Sequence, residues 1–358
     1  MTRATRALID LSALRHNLQL ARKTAPASRI MAVIKANAYG HGLVPVARAL
    51  DADAFAVANL HEALQLREGG CKAAVVLLQG CHDADEFALA AQYGFQPVIH
   101  QLDQIAVLEA LTPDASLRVW LKLDTGMHRL GIAAEDFHAA HQRLAALHHV
   151  QQPVGVMTHF ANADDRDDPL TETQLHRFEA ITGRLPGPRS LANSGGLLGW
   201  PASHADWVRP GIMLYGISPF GGVLPAELGL RPAMQLRSRL LAVNYYRRGS
   251  AIGYGGRYVC EEDMPIGVVG IGYGDGYPRH APDGTPVLVN GRRVPLAGRV
   301  SMDMLTVDLR GQPAARAGDE VILWGAALPV DEVAQHAGTI GYELVCRLTR
   351  RVAFDYVE

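Results

Sequence analysis

Between residues 30 and 210 the chain alternates eight short apolar runs with longer amphipathic stretches, a pattern that predicts repeated βα units around a parallel sheet. The runs are Ile30 to Lys35, Ala54 to Ala58, Ala74 to Gln79, Gln96 to His100, Leu117 to Leu123, Val154 to His159, Ser190 to Asn193 and Trp207 to Arg209. Eight is the number that closes a (β/α)8 barrel, so the expected fold class is α/β with a TIM-like barrel over residues 1–229. Helices are expected between the strands, for example at Leu60 to Gly69 and Thr171 to Arg184. The second has Thr171 three residues before Gln174, a capping-box spacing. A further helix near Ser12 to Thr24 precedes the first barrel strand.

Beyond about residue 230 the texture changes to short β-prone runs separated by Gly, Pro and Asp. Examples are Leu240 to Tyr246, Pro265 to Gly270, Val287 to Asn290 and Glu320 to Trp324. This predicts a C-terminal, mainly β domain over 230–358, joined through the Gly- and Pro-rich segment Pro219 to Pro232. A length of 358 residues agrees, since a single core stops growing at roughly 250 to 300 residues. With 34 basic and 36 acidic residues the chain carries no electrostatic footprint for nucleic acid or an anionic membrane, which points to a small-molecule partner.

Chemistry concentrates where the barrel runs end, at Lys35, Lys122, His159, Ser194 and Arg209. Barrel enzymes keep their active sites at that face. Lys35 lies where an apolar strand becomes the glycine-rich stretch Ala36-Asn-Ala-Tyr-Gly-His-Gly42. An amine placed there can be desolvated into a nucleophile or base, although a snorkelling lysine before a tight turn reads the same locally. Lys122 lies inside Trp120-Leu-Lys-Leu123, where a buried cation needs compensation.

Eight strings occur in order along nearly the whole chain: Ala32-Val-Ile-Lys-Ala-Asn-Ala-Tyr-Gly-His-Gly42, Leu121-Lys-Leu-Asp-Thr-Gly-Met-His-Arg-Leu-Gly131, Thr158-His-Phe-Ala161, Asn193-Ser-Gly-Gly196, Val208-Arg-Pro-Gly-Ile-Met-Leu-Tyr-Gly216, Gly253-Tyr-Gly-Gly256, Gly272-Tyr-Gly-Asp-Gly-Tyr-Pro-Arg279 and Ser301-Met-Asp303. Together they resemble the bacterial alanine racemase family. The resemblance implies pyridoxal 5'-phosphate (PLP), the substrate alanine, and a homodimer whose active sites are completed by the partner subunit.

By the same resemblance Lys35 carries PLP as an internal aldimine and serves as the base on the D-alanine side. Tyr254 of the partner subunit serves on the L-alanine side, with His159 and Arg209 assisting it. Arg209 faces the pyridine nitrogen, which a guanidinium leaves unprotonated. Ser194, the Gly211 and Ile212 amides, and the Tyr39 and Tyr342 hydroxyls bind the phosphate. Arg129, Met302 and Asp303 bind substrate, and Lys122 is the position carbamylated in many family members. An access corridor has Tyr254 and Tyr342 at its inner constriction, with Tyr273, Asp164, Arg279, Arg299 and Ile340 around it.

Rival readings fare worse against particular residues. A barrel-type PLP decarboxylase uses an acidic partner at the pyridine nitrogen, where this chain has Arg209. A broad-spectrum racemase fits poorly with two corridor tyrosines, and a non-catalytic PLP carrier needs only the barrel. A metal-dependent hydrolase would need a His-x-His pair after the first strand, which the chain does not have, and would leave Lys35 unexplained. Cys71, Cys81, Cys260 and Cys346 form no Cys-x-x-Cys pair and are expected as buried reduced thiols. The polar N-terminus and the absence of any long apolar run predict a cytoplasmic protein. Whether D-alanine is supplied for peptidoglycan or alanine is catabolised stays open at this level.

Overall fold

The computed structural model describes residues 4–111 and 116–358, so Met1 to Arg3 of the basic N-terminus lie outside the described residues. Strand β1 (Arg6–Asp10) is followed by the helix Leu11–Thr24, whose first turn is capped by the Asp10 carboxylate accepting the Ala13 N–H at 2.8 Å. Eight parallel strands then close the barrel: β2 (Arg29–Val33), β3 (Ala54–Val57), β4 (Ala74–Leu77), β5 (Phe95–Ile99), β6 (Trp120–Lys122), β7 (Gly155–Met157), β8 (Arg189–Ser190) and β9 (Trp207–Val208). Each lies within or overlaps one of the eight apolar runs. Apart from Arg29, Gln96, Lys122, Arg189 and Ser190 the strands are apolar, because helices cover one face and the barrel core the other. Ile30, Val75, Val98, Leu121 and Val208 are fully buried, and burying each such side chain contributes on the order of 1.5–3 kcal/mol.

The second sheet contains β10 (Met234–Tyr246), β13 (Met264–Val269), β14 (Pro286–Val289), β15 (Arg292–Pro295), β16 (Leu305–Asp308), β17 (Glu320–Trp324) and β18 (Ala353–Val357), while β11 (Ala251–Ile252) and β12 (Tyr258–Val259) form a separate hairpin. Strand β1 also belongs to this sheet, antiparallel to β10 and parallel to β18. The chain therefore starts in the β layer, runs through the barrel and returns. Two short helices, Val330–His336 and Gly341–Cys346, leave the β layer and pack toward the barrel mouth.

One local expectation is overturned. The helix after β7 spans Leu170–Thr182 with Pro169 before it, and Thr171 does not cap it. Thr171, Gln174, Phe178 and Thr182 instead form its buried stripe, so Gln174 points into the protein rather than back along its own helix. The cysteines also divide: Cys81 and Cys260 are buried, Cys71 is half-buried and Cys346 is exposed, all as free thiols. Among the described residues no helix is long and apolar enough to cross a membrane.

Candidate active site

Lys35 stands just past the end of β2, and the segment after it is a left-handed turn rather than an open glycine loop. Ala36, Asn37, Ala38 and Tyr39 all have φ between 50° and 55°. Four L-residues in that region cost together about 4–8 kcal/mol, at roughly 1–2 kcal/mol each. The surroundings over-determine the conformation. Ala38 N–H donates to Ile34 O at 2.8 Å and Gly40 N–H to Ala36 O at 3.0 Å. Glu62 Oε1 accepts the Ala36 N–H at 2.6 Å, and Asn37 Oδ1 accepts the Leu43 N–H at 2.9 Å. The Tyr39 ring stacks on Tyr215 at 4.8 Å between centroids, and the Tyr215 hydroxyl donates to Val33 O at 3.1 Å. Gly40 closes the turn at φ 78°, where a Cβ would lie 2.0 Å from Val345 O, so only glycine fits. His41, which burial pushes down to about 4, is neutral and donates from Nδ1 to Tyr39 O at 2.8 Å.

Arg209 is buried and held by oxygens of neighbouring strands. Its Nη1 donates to Ser190 Oγ at 2.6 Å, and its Nη2 to Thr158 O at 2.6 Å and Leu191 O at 3.0 Å. Burial pushes the guanidinium down to about 10, which still leaves it a cation at neutral pH. Nη2 also lies 3.3 Å from His159 Nδ1. Because a guanidinium only donates, His159 must accept there and carry its proton on Nε2. Burial, then the charges of Arg209, Lys122, Arg129 and Lys35, hold that imidazole well below its usual range, so it is neutral. The Nε–H of Arg209 has no protein partner among the described residues.

Lys122 is 8 % exposed at the end of β6, and burial together with Arg209 and Arg129 pushes its amine down to about 8. Lys35 is pushed below the usual lysine range by burial and then by Arg129, with Glu62 pulling it back up. The site is thus a cluster of basic groups around a neutral imidazole. The carboxylates that act on these two lysines, Glu62 and Asp124, are already committed to backbone donors. Glu62 takes the N–H groups of Ala36 and Ala58, and Asp124 Oδ1 takes those of Gly126, Met127 and His128 at 2.9, 3.1 and 3.1 Å. Asp124 thereby shapes the loop that carries Arg129. Among the described residues no group of His, Cys, Asp and Glu side chains is arranged to hold a metal.

At the adjoining strand end Ser194 Oγ accepts the Gly211 N–H at 2.9 Å and lies 3.4 Å from the Met213 nitrogen, with Ile212 between. A Cβ on Gly211 would lie 2.7 Å from the Tyr39 hydroxyl, so the chain approaches that phenol as only glycine can. Tyr39 and Tyr342 have ring centroids 6.1 Å apart, and burial raises both hydroxyls well above the usual tyrosine range. A cavity of about 840 Å³ opens beside them, lined by His159, Asp164, Asn193, Asp331, Ile340 and Tyr342.

The remaining expected site residues lie elsewhere on the chain. Tyr254 is 72 % exposed and lines a separate hollow of about 480 Å³ with Arg299 and Ser301. Met302 is exposed at 53 %, its carbonyl accepting the Gly274 N–H at 2.9 Å, while Asp303 pairs with Arg351. Tyr273 and Arg279 are exposed on the same β layer. One copy therefore brings together Lys35, Tyr39, Lys122, Arg129, His159, Ser194, Arg209 and Tyr342. Tyr254 forms no hydrogen bond to that cluster among the described residues.

Sequence reasoning missed Glu62 and Gln174. Asn59 caps its helix, Oδ1 accepting the Glu62 N–H, yet the Glu62 carboxylate reaches outward to Ala36 and Ala58, which no local pattern announces. Gln174 Oε1 accepts the Ala161 N–H at 2.9 Å, and its Nε2 donates to Thr125 Oγ1 and His159 O, both at 3.0 Å. A glutamine on the apolar stripe with Phe178 was the available signal.

The sequence profile of the alanine racemase N-terminal domain matches residues 9–219, and that of the C-terminal domain matches 233–356. The chain is 50% identical over 356 residues to the alanine racemase of Yersinia pestis, covering 99% of each. It is 53% identical over 349 residues to that of Shewanella sp. strain MR-7, covering 97% of this chain and 98% of the relative. The crystal structure of biosynthetic alanine racemase from Pseudomonas aeruginosa superposes with a TM-score of 0.97 at 50% identity over 100% of both chains. The structure of alanine racemase from Acinetobacter baumannii gives a TM-score of 0.92 at 38% identity, covering 99% of this chain and 100% of that one. Barrel and β layer agree with these matches along the whole length, and the chain belongs to the alanine racemase family.

Proposed function

We propose that this protein is an alanine racemase that holds PLP on Lys35 and interconverts L- and D-alanine in sites shared between two copies of the chain. The observation that carries the reading is Arg209, a buried guanidinium fixed by three oxygens, with its Nε–H unpaired and no carboxylate paired with it among the described residues. An aromatic ring nitrogen set against it receives a hydrogen bond and no proton. The residues fit the cofactor in other respects as well. The basic cluster calls for anions, and the cofactor's phosphate and the substrate's carboxylate are the two that the chemistry supplies.

When bound, PLP supplies an aldehyde that condenses with amines and a ring that spreads the charge left by a departing α-proton. Ser194, the Gly211 and Ile212 amides, and the Tyr39 and Tyr342 hydroxyls hold the phosphate, while Arg209 orients the ring. Arg129 holds the alanine carboxylate, joined by Met302 and Asp303 of the partner subunit. Lys35 Nζ, its pKa lowered by burial and by Arg129, moves the α-proton on one face of the carbon, the D side. Tyr254 of the partner subunit moves it on the opposite face, the L side, which fits a tyrosine left 72 % exposed in one copy. Lys122, pushed down to about 8, is partly neutral near neutral pH and hence able to add carbon dioxide; the resulting carbamate would offset Arg129 and Arg209. Tyr254, Tyr342, Tyr273, Asp164, Arg279, Arg299 and Ile340 form the access corridor, whose tyrosine pair favours a methyl side chain by excluding volume.

Borohydride reduction followed by peptide mapping tests the attachment. The cofactor is expected on Lys35, and labelling of any other lysine overturns the reading. With α-deuterated substrates, Tyr254→Phe is expected to abolish exchange from L-alanine, and undiminished exchange from L-alanine would contradict the two-base assignment.

A further inference from the structure

We propose that Glu62 is a positioning residue for Lys35: its carboxylate clasps the first N–H of the left-handed turn that follows the lysine and ties it to the end of β3, setting one negative charge beside the reactive amine's segment. The inference rests on the reading of Lys35 as the cofactor-bearing residue.

The left-handed turn begins at Ala36, and the first N–H groups of a helical turn have no partner within the turn. Glu62 Oε1 supplies that partner at 2.6 Å, from a different βα unit. Its second oxygen accepts the Ala58 N–H at 2.8 Å at the end of β3. One carboxylate therefore ties the residue next to Lys35 to the neighbouring strand, and both oxygens are used. The Asn59 side chain accepts the Glu62 N–H at 3.1 Å and fixes the base of the side chain in turn. Such a bidentate clasp on two backbone donors needs a carboxylate, since a glutamine has one acceptor oxygen and would turn a donor toward one of the two N–H groups.

The charge matters as much as the clasp. Lys35 faces Arg129, and burial acts on its amine in the same direction. Glu62 is the carboxylate that opposes both, with the Cys346 thiol of helix Gly341–Cys346 acting in the same direction and Lys122 adding a further cation nearby. Removing the Glu62 charge without changing size tips that balance toward the cations.

The test compares Glu62→Gln and Glu62→Asp with the unaltered protein, all first stripped of PLP. The pH dependence of acylation at Lys35 is read by peptide mass spectrometry, and PLP rebinding by the visible absorbance that follows. In Glu62→Gln the midpoint of Lys35 reactivity is expected to move to lower pH, because an opposing negative charge is lost. PLP affinity is expected to fall about tenfold or more. Glu62→Asp keeps the charge with a shorter reach and is expected to restore most of the midpoint but little of the affinity. An unchanged midpoint in Glu62→Gln, whatever happens to thermal stability, overturns the electrostatic half of the proposal. Unchanged PLP affinity in both variants overturns the positioning half. Borohydride mapping of the unaltered holoenzyme stands apart: label found off Lys35 refutes the cofactor attachment and leaves the measured effect of Glu62 on the amine intact.

Discussion

Gln174→Leu removes three hydrogen bonds at a fully buried position and keeps the side chain close to its original size. The bonds have a fixed direction. Thr158 has one hydroxyl proton and gives it to Leu123 O at 3.0 Å, so Thr125 must donate to Thr158 across their 2.8 Å contact. Thr125 Oγ1 is then free to accept from Gln174 Nε2, and the chain of donors runs from Gln174 through two threonines to the end of β6. Thr158 O also receives Arg209 Nη2, so the network that Gln174 closes supports both Arg209 and the His159 carbonyl. The two bonds made by Nε2 at about 1 kcal/mol each, and a half-buried Ala161 N–H left unpaired at about 1–3 kcal/mol, give a loss of about 3–5 kcal/mol. For 358 residues the unfolding entropy is about 0.75 kcal/mol/K, so the melting temperature should fall by about 4–7 °C at fixed protein and PLP concentrations. Racemisation assays on the folded variant should show a loss of at least tenfold in kcat/KM, since His159 and Arg209 lose their support. A shift under 2 °C with unchanged kcat/KM would refute the reasoning.

Gly211→Ala would place a Cβ 2.7 Å from the Tyr39 hydroxyl, and Tyr39 is pinned by its stack on Tyr215; PLP titration should show affinity reduced about tenfold or more, and unchanged affinity would remove Gly211 from the phosphate site. If Lys122 remains a plain amine, its lowered pKa of about 8 penalises folding. The penalty is full below that value and disappears as pH rises through the ordinary lysine range, so Lys122→Met would stabilise at pH 7 by about 3 kcal/mol and not at all near pH 10.5. We expect the opposite, destabilisation at pH 7 in bicarbonate-containing buffer, because carbamylation converts the group to an anion between arginines; carbon-13 NMR with labelled bicarbonate should show a carbamate signal that Lys122→Met lacks. Because His159 is held well below its ordinary range, it should stay neutral down through mild acid, and its ring signals in NMR should show no titration between pH 6 and 8.

The barrel was legible because eight buried strands must be apolar and must alternate with helices, and β2 to β9 all fall on the apolar runs. The second sheet was equally legible from β10, β13, β14 and β17. The inclusion of β1 in that sheet was not, since a strand's partner across more than 200 residues leaves no local mark. The Lys35 turn escaped for a related reason. In Ala36-Asn-Ala-Tyr39 only Asn37 is of a type that readily enters the left-handed region, and the run of four is imposed by Glu62, Tyr215 and the close approach of Gly40 to Val345. Gln174 misled because a capping spacing is a local signal, whereas the buried stripe of its helix decided where the side chain went. Lys35, His159, Ser194 and Arg209 were readable because they stand at strand ends, where barrel geometry makes them converge.

Mixing two disabled variants tests the shared site most directly. On the proposed roles Lys35→Ala lacks one base and Tyr254→Phe the other, and each alone should be almost inactive as a racemase. If each site takes its lysine from one copy and its tyrosine from the other, a mixed dimer holds one intact site and one doubly disabled site. Co-refolding equal amounts should then restore about a quarter of the unaltered protein's activity, since half the dimers are mixed and each carries one working site. A mixture as inactive as its two parents would contradict the account.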